Sequence, residues 1–383
     1  MAIDNKDKKI LNVPPLRFPE FTEEWKAEQL DNIATLSKGI GISKEQLSED
    51  GEPCILYGEL YTKYKSEIIK QVESKTDING SKLKRSKAND VIIPCSGETA
   101  VDIATARCVP FDNILFGGAL NVISLHQYDG AFMSYQLNGK RKYDIARVAQ
   151  GVSIVHLYGE HLKAIKTYNP TLPEQQKIAK LLSLLDDRID TQNKIIEKLQ
   201  SLIKGLRVCC MQRVYGNNVY LSEIAQIYQP QTISSTELTE DGFLVYGANG
   251  IIGKYKDYNH ETEQICITCR GNTCGMVNYT KPMSWITGNA MVINTDKYQD
   301  KVCKRYLYHY LSAYNFNSII SGSGQPQIVR TPLEKLKITL PTISEQKQKA
   351  IIFDKIQDKI DINHKVLNLY IGQKQYLLRQ MFI

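Results

Sequence analysis

Apolar residues recur at alternating steps of four and three over residues 174–211, in the middle of the chain. This spacing is the heptad pattern of a helix that packs along one seam. The seam positions are Ile178, Leu182, Leu185, Ile189, Gln192, Ile196, Leu199, Ile203, Leu206 and Cys210. At about 1.5 Å per residue, such a helix would span roughly 55 Å, which is too long for the core of one compact domain. The pattern therefore predicts a spacer or zipper helix.

A second copy of this helix lies near the end of the chain. Glu345 and Gln346 follow Glu174 and Gln175 by 171 positions, and the residues around them repeat as well. The second seam reads Lys349, Phe353, Ile356, Ile360, Asn363, Leu367, Tyr370, Lys374, Leu377 and Met381. Because the partner helix is supplied by the same chain, we expect the two helices to pair antiparallel within one molecule.

The expected interface of this helix pair contains one polar residue from each helix, near its middle. A polar seam residue commonly fixes register and partner at a cost in stability; alternatively, Gln192 and Asn363 simply face solvent. The predicted interface residues are Leu182, Leu185, Ile189, Gln192, Ile196, Leu199, Phe353, Ile356, Ile360, Asn363, Leu367 and Tyr370.

The segments before the two helices consist of short β-rich runs punctuated by Gly and Asn. These runs predict strands at residues 55–57, 91–94, 101–106, 121–125, 243–246, 264–268, 275–279 and 290–293. Helices are predicted at residues 128–136, 142–149 and 301–314. Each segment ends with a Gly- or Ser-rich loop before its last strand, at residues 149–157 and 321–330.

The predicted fold class is mixed α/β (α+β), with two β-rich domains separated by two long antiparallel coiled-coil helices in a pseudo-two-fold internal repeat. The expected boundaries are a polar N-terminal tail at 1–15, a first domain at 16–166, a central helix at 167–214, a second domain at 215–337 and a distal helix at 338–383.

The composition narrows the cellular setting more than the function. The net charge of +7 suits a nucleic-acid partner without establishing one. The N-terminal residues lack the apolar core of a signal peptide, and no run approaches the ~18 apolar residues of a membrane span. Nine Cys without a framework spacing fit reduced thiols. We therefore expect a cytoplasmic protein without a membrane partner.

Three motifs for enzymatic or metal chemistry are incomplete. The string from Asn169 to Leu172 lacks the second Pro and the aromatic residue of an amino-methyltransferase motif. Gly253 and Lys254 follow two glycines, but Tyr255 replaces the Ser or Thr of a phosphate-binding loop. Cys266 and Cys269 form a lone C-x-x-C, with Cys274 and Cys303 as conceivable further zinc ligands. We therefore predict neither a catalytic centre nor a metal site, although a spatial triad is not excluded by sequence alone.

Several of these features together resemble the specificity (S) subunit of type I restriction–modification enzymes, over nearly the whole chain. They are the opening LRFPEF at 16–21 with Trp25, the SGETA segment at 96–100, the loops before each last strand, and the helix starts LPEQQ at 172–176 and ISEQK at 343–347. The most specific feature is the Glu–Gln helix start, because it recurs after each domain.

This resemblance implies a non-catalytic DNA-recognition subunit. Each domain would be a target-recognition domain that reads one half of a split site in double-stranded DNA, and the helix pair would act as a ruler between the half-sites. The implied protein partners are two methyltransferase (M) subunits and restriction (R) motor-nuclease subunits. No cofactor is expected in this chain; S-adenosylmethionine, ATP and Mg²⁺ are expected on the partner subunits.

Candidate DNA contacts lie in loops at strand ends and in basic clusters. Polar loop residues suit base edges and cations suit phosphates, although basic runs are often only solvated faces and Glu98 can also satisfy local backbone donors. The candidates in the first domain are Tyr57, Lys82, Lys84, Arg85, Lys87, Ser96, Glu98, Lys140, Arg141 and Lys142. Those in the second domain are Lys254, Arg270, Asn272, Thr273, Ser323, Gln325, Gln327 and Arg330.

Two rival interpretations stay open at this point. One is a self-contained DNA-modifying enzyme, such as a fused nuclease or methyltransferase, with a coiled-coil dimerisation arm. The other is a coiled-coil scaffold that binds partners without reading DNA.

Overall fold

The computed structural model describes residues 12–79, 82–212, 214–248, 250–322 and 324–383. Most of the predicted tail at 1–15, and the candidate Ser323, lie outside these residues. The chain divides into two units, one formed by residues 1–192 and 366–383 and the other by residues 193–365. Each unit therefore combines one β-rich domain with parts of both long helices.

The first unit is built from short strands and short helices that precede the first long helix. The strands are β1 Lys26–Gln29, β2 Ala34–Lys38, β3 Glu52–Ile55, β4 Lys75–Thr76, β5 Lys84–Arg85, β6 Asp90–Pro94, β7 Ser96–Gly97, β8 Arg107–Val109, β9 Leu115–Phe116, β10 Leu120–Leu125, β11 Val155–His156 and β12 Lys166–Asn169. The helices are α1 Leu30–Ile33, α2 Glu59–Thr62, α3 Ala100–Ile103, α4 Gly130–Asn138, α5 Lys142–Val148, α6 Gly159–Lys163 and α7 Leu172–Gln212. A 3₁₀ turn occurs at Lys44–Gln46.

The central sheet of this unit has the strand order β2-β10-β6-β8 and is antiparallel. A second four-stranded sheet has the order β4-β3-β9-β5. In β6, Val91 and Ile93 belong to one hydrophobic core while Ile92 belongs to another. Because successive side chains of a strand point to opposite faces, this sheet is covered on both sides, which explains why its strands read as continuous apolar runs.

Most predicted elements of the first domain are confirmed, but the strand predicted at 101–106 is wrong. The strands at 91–94 and 121–125 and the helices at 128–136 and 142–149 correspond to β6, β10, α4 and α5. Residues 101–103 instead belong to helix α3, because Thr99 caps it: the Thr99 hydroxyl accepts from the Asp102 amide at 3.1 Å and donates to the Asp102 carboxylate at 2.6 Å. Tyr57, predicted to end a strand, lies in the turn after β3.

The second unit repeats this arrangement. Its strands are β13 Asn217–Tyr220, β14 Gln226–Tyr228, β15 Phe243–Gly247, β16 Gly250–Tyr255, β17 Ile265–Thr268, β18 Val277–Tyr279, β19 Ser284–Ile286, β20 Ala290–Asn294 and β21 Lys337–Leu340. Its helices are α8 Lys304–Ala313, α9 Arg330–Glu334 and α10 Ile343–Gln380. Further 3₁₀ turns occur at Leu221–Glu223, Ser235–Glu237, Asp296–Tyr298 and Phe316–Ser318. The four predicted strands and the predicted helix at 301–314 are confirmed, with ends shifted by a few residues.

The sheets show the same repeat. The order β14-β20-β17-β18 of the second unit matches β2-β10-β6-β8 of the first, and both sheets are antiparallel. The antiparallel pair β13–β21 likewise matches β1–β12. The duplication of the globular parts, which the sequence shows only weakly, is therefore clear in the topology.

The two long helices, α7 with 41 residues and α10 with 38, carry the predicted seams. Every seam position from Ile178 to Cys210 and from Lys349 to Met381 is buried or half-buried. In the first unit Ile178 and Leu182 share a core with Met381, and further along α7 Asp186 contacts Lys374 at 2.6 Å. Partner positions on α10 thus decrease as those on α7 increase, so the helices pair antiparallel there.

The same seam continues in the second unit, where Leu199, Ile203 and Leu206 pack with Phe353 and Ile360. Gln192 is only 8% exposed, so the alternative that it simply faces solvent is wrong. Asn363 is half-buried, and its amide donates to the Lys359 carbonyl at 2.6 Å. That Gln192 and Asn363 lie near each other stays a prediction.

Among the helices in the described ranges, none is both long and apolar enough to cross a bilayer.

Candidate nucleic-acid interface

The Glu–Gln helix start has the same structural role in both copies. The Gln175 side chain accepts from the Asp129 amide at 2.9 Å and donates to the Pro170 carbonyl at 2.8 Å. The Gln346 side chain accepts from the Cys303 amide at 2.8 Å and donates to the Pro341 carbonyl at 2.9 Å. Asp129 and Cys303 are the N-cap residues of α4 and α8. Each Gln therefore fixes the start of a long helix against the start of a domain helix.

The neighbouring Glu is used differently in the two copies. Glu174 is fully buried and accepts two hydrogen bonds of 2.7 Å from Arg17 and one of 3.3 Å from the Trp25 indole. The hydrogen bonds to Glu174 raise the pKa of Arg17 although burial opposes its charge. Glu345 is exposed and caps its own helix, accepting from the Thr342 amide at 3.0 Å. Only the first Glu therefore ties an N-terminal segment to its helix.

Two candidate base-reading turns occupy equivalent places in the two domains. Each follows the third strand of the four-stranded sheet. The Cys95 carbonyl at the end of β6 accepts from the Leu157 amide at 2.8 Å, and the Cys269 carbonyl after β17 accepts from the Ile328 amide at 3.0 Å. Cys269 lies 174 positions after Cys95, so the turn at 96–99 corresponds to the turn at 270–273.

Each turn is hydrogen-bonded to the Gly-rich loop that closes its domain. In the first domain Ser96 pairs with His156 and Gly97 with Val155. In the second domain Arg270 pairs with Gln327, and the Gly271 amide donates to the Pro326 carbonyl at 3.0 Å. The same two-residue contact is thus built twice from different residues.

The closing loops themselves repeat with an offset of 171 positions. Gln150 and His156 exchange backbone hydrogen bonds of 2.8 and 2.6 Å, and Ser321 and Gln327 exchange bonds of 2.9 and 2.8 Å. Gly151 and Gly322, which follow the first residue of each pair, have φ of +122° and +92°. Because residues with a side chain rarely adopt this conformation, glycine is required at this bend of each loop.

Five polar side chains on these turns and loops keep their hydrogen-bonding groups available. Those of Glu98, Arg270, Asn272, Gln325 and Gln327 are exposed and make no hydrogen bond or ion pair to the parts of the chain that the structure describes. Thr273, by contrast, is half-buried and engaged within the chain.

A cleft of about 1300 Å³ adjoins the turn of the first domain. Three of the predicted contact residues, Tyr57, Ser96 and Glu98, line it. Burial raises the pKa of the Tyr61 phenol, which also lines the cleft and therefore stays neutral. Arg107 at its base donates to the Tyr64 carbonyl at 3.0 Å, and burial lowers its pKa. The lining of the cleft thus combines tyrosine and serine hydroxyls and the Glu98 carboxylate with the buried guanidinium of Arg107.

Sequence reasoning missed several lining residues of this cleft, among them His156 and Arg107. His156 stacks on Tyr158 with ring centroids 6.2 Å apart. The repeat of the closing loops could have indicated His156, since it falls 171 positions before the predicted contact Gln327. No comparable signal marks Arg107, which lies inside a strand.

The predicted phosphate-binding cations fall into two groups. Four of them already have partners inside their own domain: Arg85 with Glu52 at 2.6 Å, Arg141 with Asp144 at 3.3 Å, Lys254 with Asp241 at 3.3 Å and Arg330 with Glu334 at 2.6 Å. The lysines at positions 82, 84, 87, 140 and 142 have no carboxylate partner among the described residues. These lysines are therefore the better placed cations for a phosphate backbone.

The alternative chemistries find little support in the geometry. Cys266 and Cys269 pack into different hydrophobic cores, because an offset of three along the strand places them on opposite faces. Within the described ranges, His, Cys, Asp and Glu form no cluster of three or more that could hold a metal ion. Gly253 and Lys254 lie in β16, in a hairpin with β15, and not at the start of a helix as a phosphate loop requires.

Comparison with known proteins identifies the family. The model of the type I restriction modification DNA specificity domain matches this chain twice, over residues 22–201 and 217–369. The chain belongs to this family. Each match covers one β-rich domain and part of the long helix that follows it, so the resemblance inferred from the sequence motifs is confirmed.

Relatives within the specificity-subunit family cover the chain to different extents. The EcoprrI specificity subunit of Escherichia coli is 31% identical over 147 residues, which is 37% of this chain and 36% of that protein. The MjaVIII specificity subunit of Methanocaldococcus jannaschii is 24% identical over 94% of this chain and 92% of its own length. The first likeness is thus limited to about a third of each protein, whereas the second spans both.

Solved structures from specificity subunits show the same fold. The S subunit of a type I restriction–modification system from M. genitalium aligns over 97% of this chain and 99% of its own, with a TM-score of 0.67 and 19% identity. A chain from a structural study of complex assembly and conformational transition in the type I system aligns over 96% and 99%, with a TM-score of 0.56 and 15% identity. Two β-rich domains with long helices are therefore the shared architecture.

Proposed function

We propose that this chain is the sequence-specific DNA-binding subunit of a type I restriction–modification enzyme. The first domain, at 16–166, reads one half of a bipartite site and the second, at 215–337, reads the other. The helix pair sets the unread spacer between them. The observation that carries the proposal is the repeated pairing of a turn with a closing loop, which offers, once in each domain, polar side chains without a partner among the described residues.

The chemistry of DNA favours this use of the turns. Each base pair shows a distinct pattern of donors and acceptors in the major groove. A reader must therefore present side chains with unused hydrogen-bonding capacity on a backbone that holds them in place. Both turns do so, because their backbones are hydrogen-bonded to the closing loops. The first-domain lysines at positions 82, 84, 87, 140 and 142, which lack a carboxylate partner among the described residues, supply phosphate contacts that position a protein without reading sequence.

The chain itself carries no catalytic centre in this proposal, and its cellular location is the cytoplasm. It docks two methyltransferase subunits and, in the complete enzyme, restriction motor-nuclease subunits. S-adenosylmethionine, ATP and Mg²⁺ belong to these partners. The long helices, whose outer faces remain exposed between the seam positions, offer surface for such docking.

Footprinting and methylation mapping of the chain reconstituted with its methyltransferase subunits test the proposal. We expect two protected half-sites at a constant separation. Exchanging residues 217–335 for the matching segment of a relative should change one half-site and leave the other intact. Protection of a single continuous site, or methylation by the isolated chain without partner subunits, would contradict the proposal.

A further inference from the structure

We infer that the two domains read different base edges through corresponding turns and closing loops: a carboxylate at Glu98 and an apolar side chain at Ile154 in the first domain, against Asn272 and Gln325 in the second. This inference rests on the proposed DNA-reading function. Beyond that function, it names the residues that determine specificity and the bases that they favour.

The matching of positions follows from the backbone contacts and not from sequence similarity. Backbone contacts match Ser96 in the first turn with Arg270 in the second, at an offset of 174 positions. The closing loops match Ile154 with Gln325 at an offset of 171. The turn offset is larger by three because the segment between turn and closing loop is three residues shorter in the second domain. A single-offset alignment therefore does not match the two turns, whereas the hydrogen bonds do, and Glu98 and Asn272 each lie two residues further along their turn.

The two turns begin from the same scaffold, but they bend differently after it, since Gly271 has φ of +84° whereas Gly97 is not in the left-handed region. The carbonyl of the residue before each turn accepts a hydrogen bond from a closing-loop amide, of 2.8 Å in one domain and 3.0 Å in the other. The two-residue pairing of turn and loop also recurs. Glu98 and Asn272 thus each lie four residues beyond the end of a central strand.

On a DNA-facing turn, Glu98 is suited to a base contact and not to a phosphate contact. A carboxylate beside phosphates is repelled, whereas the exocyclic amino group of cytosine is a matching donor in the major groove. The side chain of Glu98 is exposed and has no partner among the described residues. The geometry therefore assigns it an amino-bearing base, cytosine first.

The closing loop of the first domain adds an apolar contact. Ile154 is 60% exposed and Val152 is 98% exposed, although both are β-branched apolar residues. Apolar side chains in the major groove contact the methyl group of thymine. The half-site of the first domain should therefore contain cytosine and, beside it, a base pair with thymine.

The second domain offers amides and a guanidinium in the same places. Asn272 and Gln325 are suited to the bidentate contact with adenine, and Arg270 to that with guanine. All three are exposed and make no hydrogen bond with described residues. The half-site of the second domain should therefore be read mainly through purine edges.

The test is the methylation of a library with randomised half-sites by the reconstituted methyltransferase, carrying wild-type chain, Glu98→Gln or Arg270→Gln. We expect Glu98→Gln to reduce the preference at one cytosine position on the order of ten-fold, which is towards the lower end of the discrimination that a good base contact provides. Only the half-site of the first domain should change. Arg270→Gln should relax one guanine position in the other half-site.

Glu49→Gln serves as the matched control, since Glu49 is another exposed carboxylate of the first domain and lies away from the turn. It should leave both half-sites unchanged. Melting temperatures and assembly with the methyltransferase subunits check that each variant folds.

The outcomes separate this inference from the function on which it depends. If the wild-type chain selects no bipartite site, the proposed function fails. If it selects one, and Glu98→Gln and Arg270→Gln leave both half-sites unchanged, only the present inference fails. A loss of methylation that is equal for all library sequences also overturns it, because that result indicates a contact without sequence information.

Discussion

Two glutamates at equivalent motif positions show how the same residue can act differently in two copies of one element. Glu174 lies buried between Arg17 and Trp25, whereas Glu345 caps its own helix at the surface. The difference arises because an N-terminal segment packs over the start of α7, with Trp25 against Phe132 at 5.7 Å between ring centroids. The first helix start is therefore part of a core, and the second is not.

Replacing Glu174 by Ala should destabilise the protein far more than replacing Glu345 by Ala. The first change leaves the guanidinium of Arg17 buried without its carboxylate, which typically costs about 3–5 kcal/mol. The second removes an exposed cap and should have a much smaller effect. Thermal unfolding of both variants measures the difference, and similar losses in melting temperature would show that Glu174 is not a buried anchor.

The last turns of α10 are held by a buried ion cluster. Lys374 contacts Glu67 at 2.5 Å and Asp186 at 2.6 Å, and the Tyr135 hydroxyl donates to Asp186 at 2.7 Å. Burial raises the pKa of Asp186, while Lys374 opposes the shift. The pKa of Lys374 is itself raised, since the two carboxylates outweigh the cost of burial. One cation thus joins the helix to two other elements of its unit.

The second unit fixes its helices with different residues. Asp354 on α10 binds Arg305 and also His309, whose Nε2 lies 2.8 Å away. His309 in turn accepts from Arg207 of α7 at 3.1 Å. Burial lowers the pKa of His309 and keeps the ring neutral. The internal repeat therefore preserves the elements and their seams but not the polar contacts that join them.

Replacing Lys374 by Met should destabilise the protein in a pH-dependent way. Without the cation, the folded-state pKa of Asp186 rises further above its value in the unfolded chain. Such a group favours the fold below its unfolded pKa, and that contribution is lost as the pH rises through the folded pKa. The variant should therefore lose more stability at pH 8 than at pH 5, with a cost of about 3–5 kcal/mol once the carboxylates are charged.

Melting temperatures of Lys374→Met and the wild type at both pH values check this expectation. Lys365→Met, at an exposed position of the same helix, is the control and should change little at either pH. Equal deficits of Lys374→Met at pH 5 and pH 8 would contradict a role for Asp186.

Across the molecule, features with a repeating period could be predicted from sequence, whereas contacts between distant segments could not. The heptad seam continues over ten positions in each helix, so its burial follows from the spacing alone. Helix α3 was missed because Val101 favours a strand and only the cap by Thr99 reverses that preference. The partnership of Glu174 with Arg17 joins residues 157 positions apart, which no local pattern encodes.

The candidate site shows the same limit. The residue types in the turns at 96–99 and 270–273 are visible in the sequence and point to DNA contacts. Their equivalence is not visible, because it depends on hydrogen bonds from residues 157 and 328. Likewise, the sequence predicts that Arg85 contacts a phosphate, whereas in the structure Arg85 pairs with Glu52. Sequence patterns indicate which side chains could bind, and the fold determines which of them remain unpartnered.

If the helix pair is a ruler, its length should control the spacer and nothing else. Inserting one heptad into each helix, after Gln192 and after Lys365, keeps both seams in phase because the hydrophobic pattern repeats every seven residues. These positions lie at the boundaries between the two units, so neither domain is altered. Seven residues add about 10 Å to a helix, which corresponds to roughly three base pairs at 3.4 Å each.

We therefore expect the reconstituted methyltransferase to select the same two half-sites with a spacer that is longer by about that amount. An insertion of seven residues into α7 alone is the control, since it breaks the pairing of the seams and should abolish or weaken selection of any fixed spacer. Sequencing of methylated library DNA measures half-sites and spacer together. An unchanged spacer with normal folding would show that the helices do not set the distance, whereas altered half-sites would show that the domains do not read DNA independently of the helices.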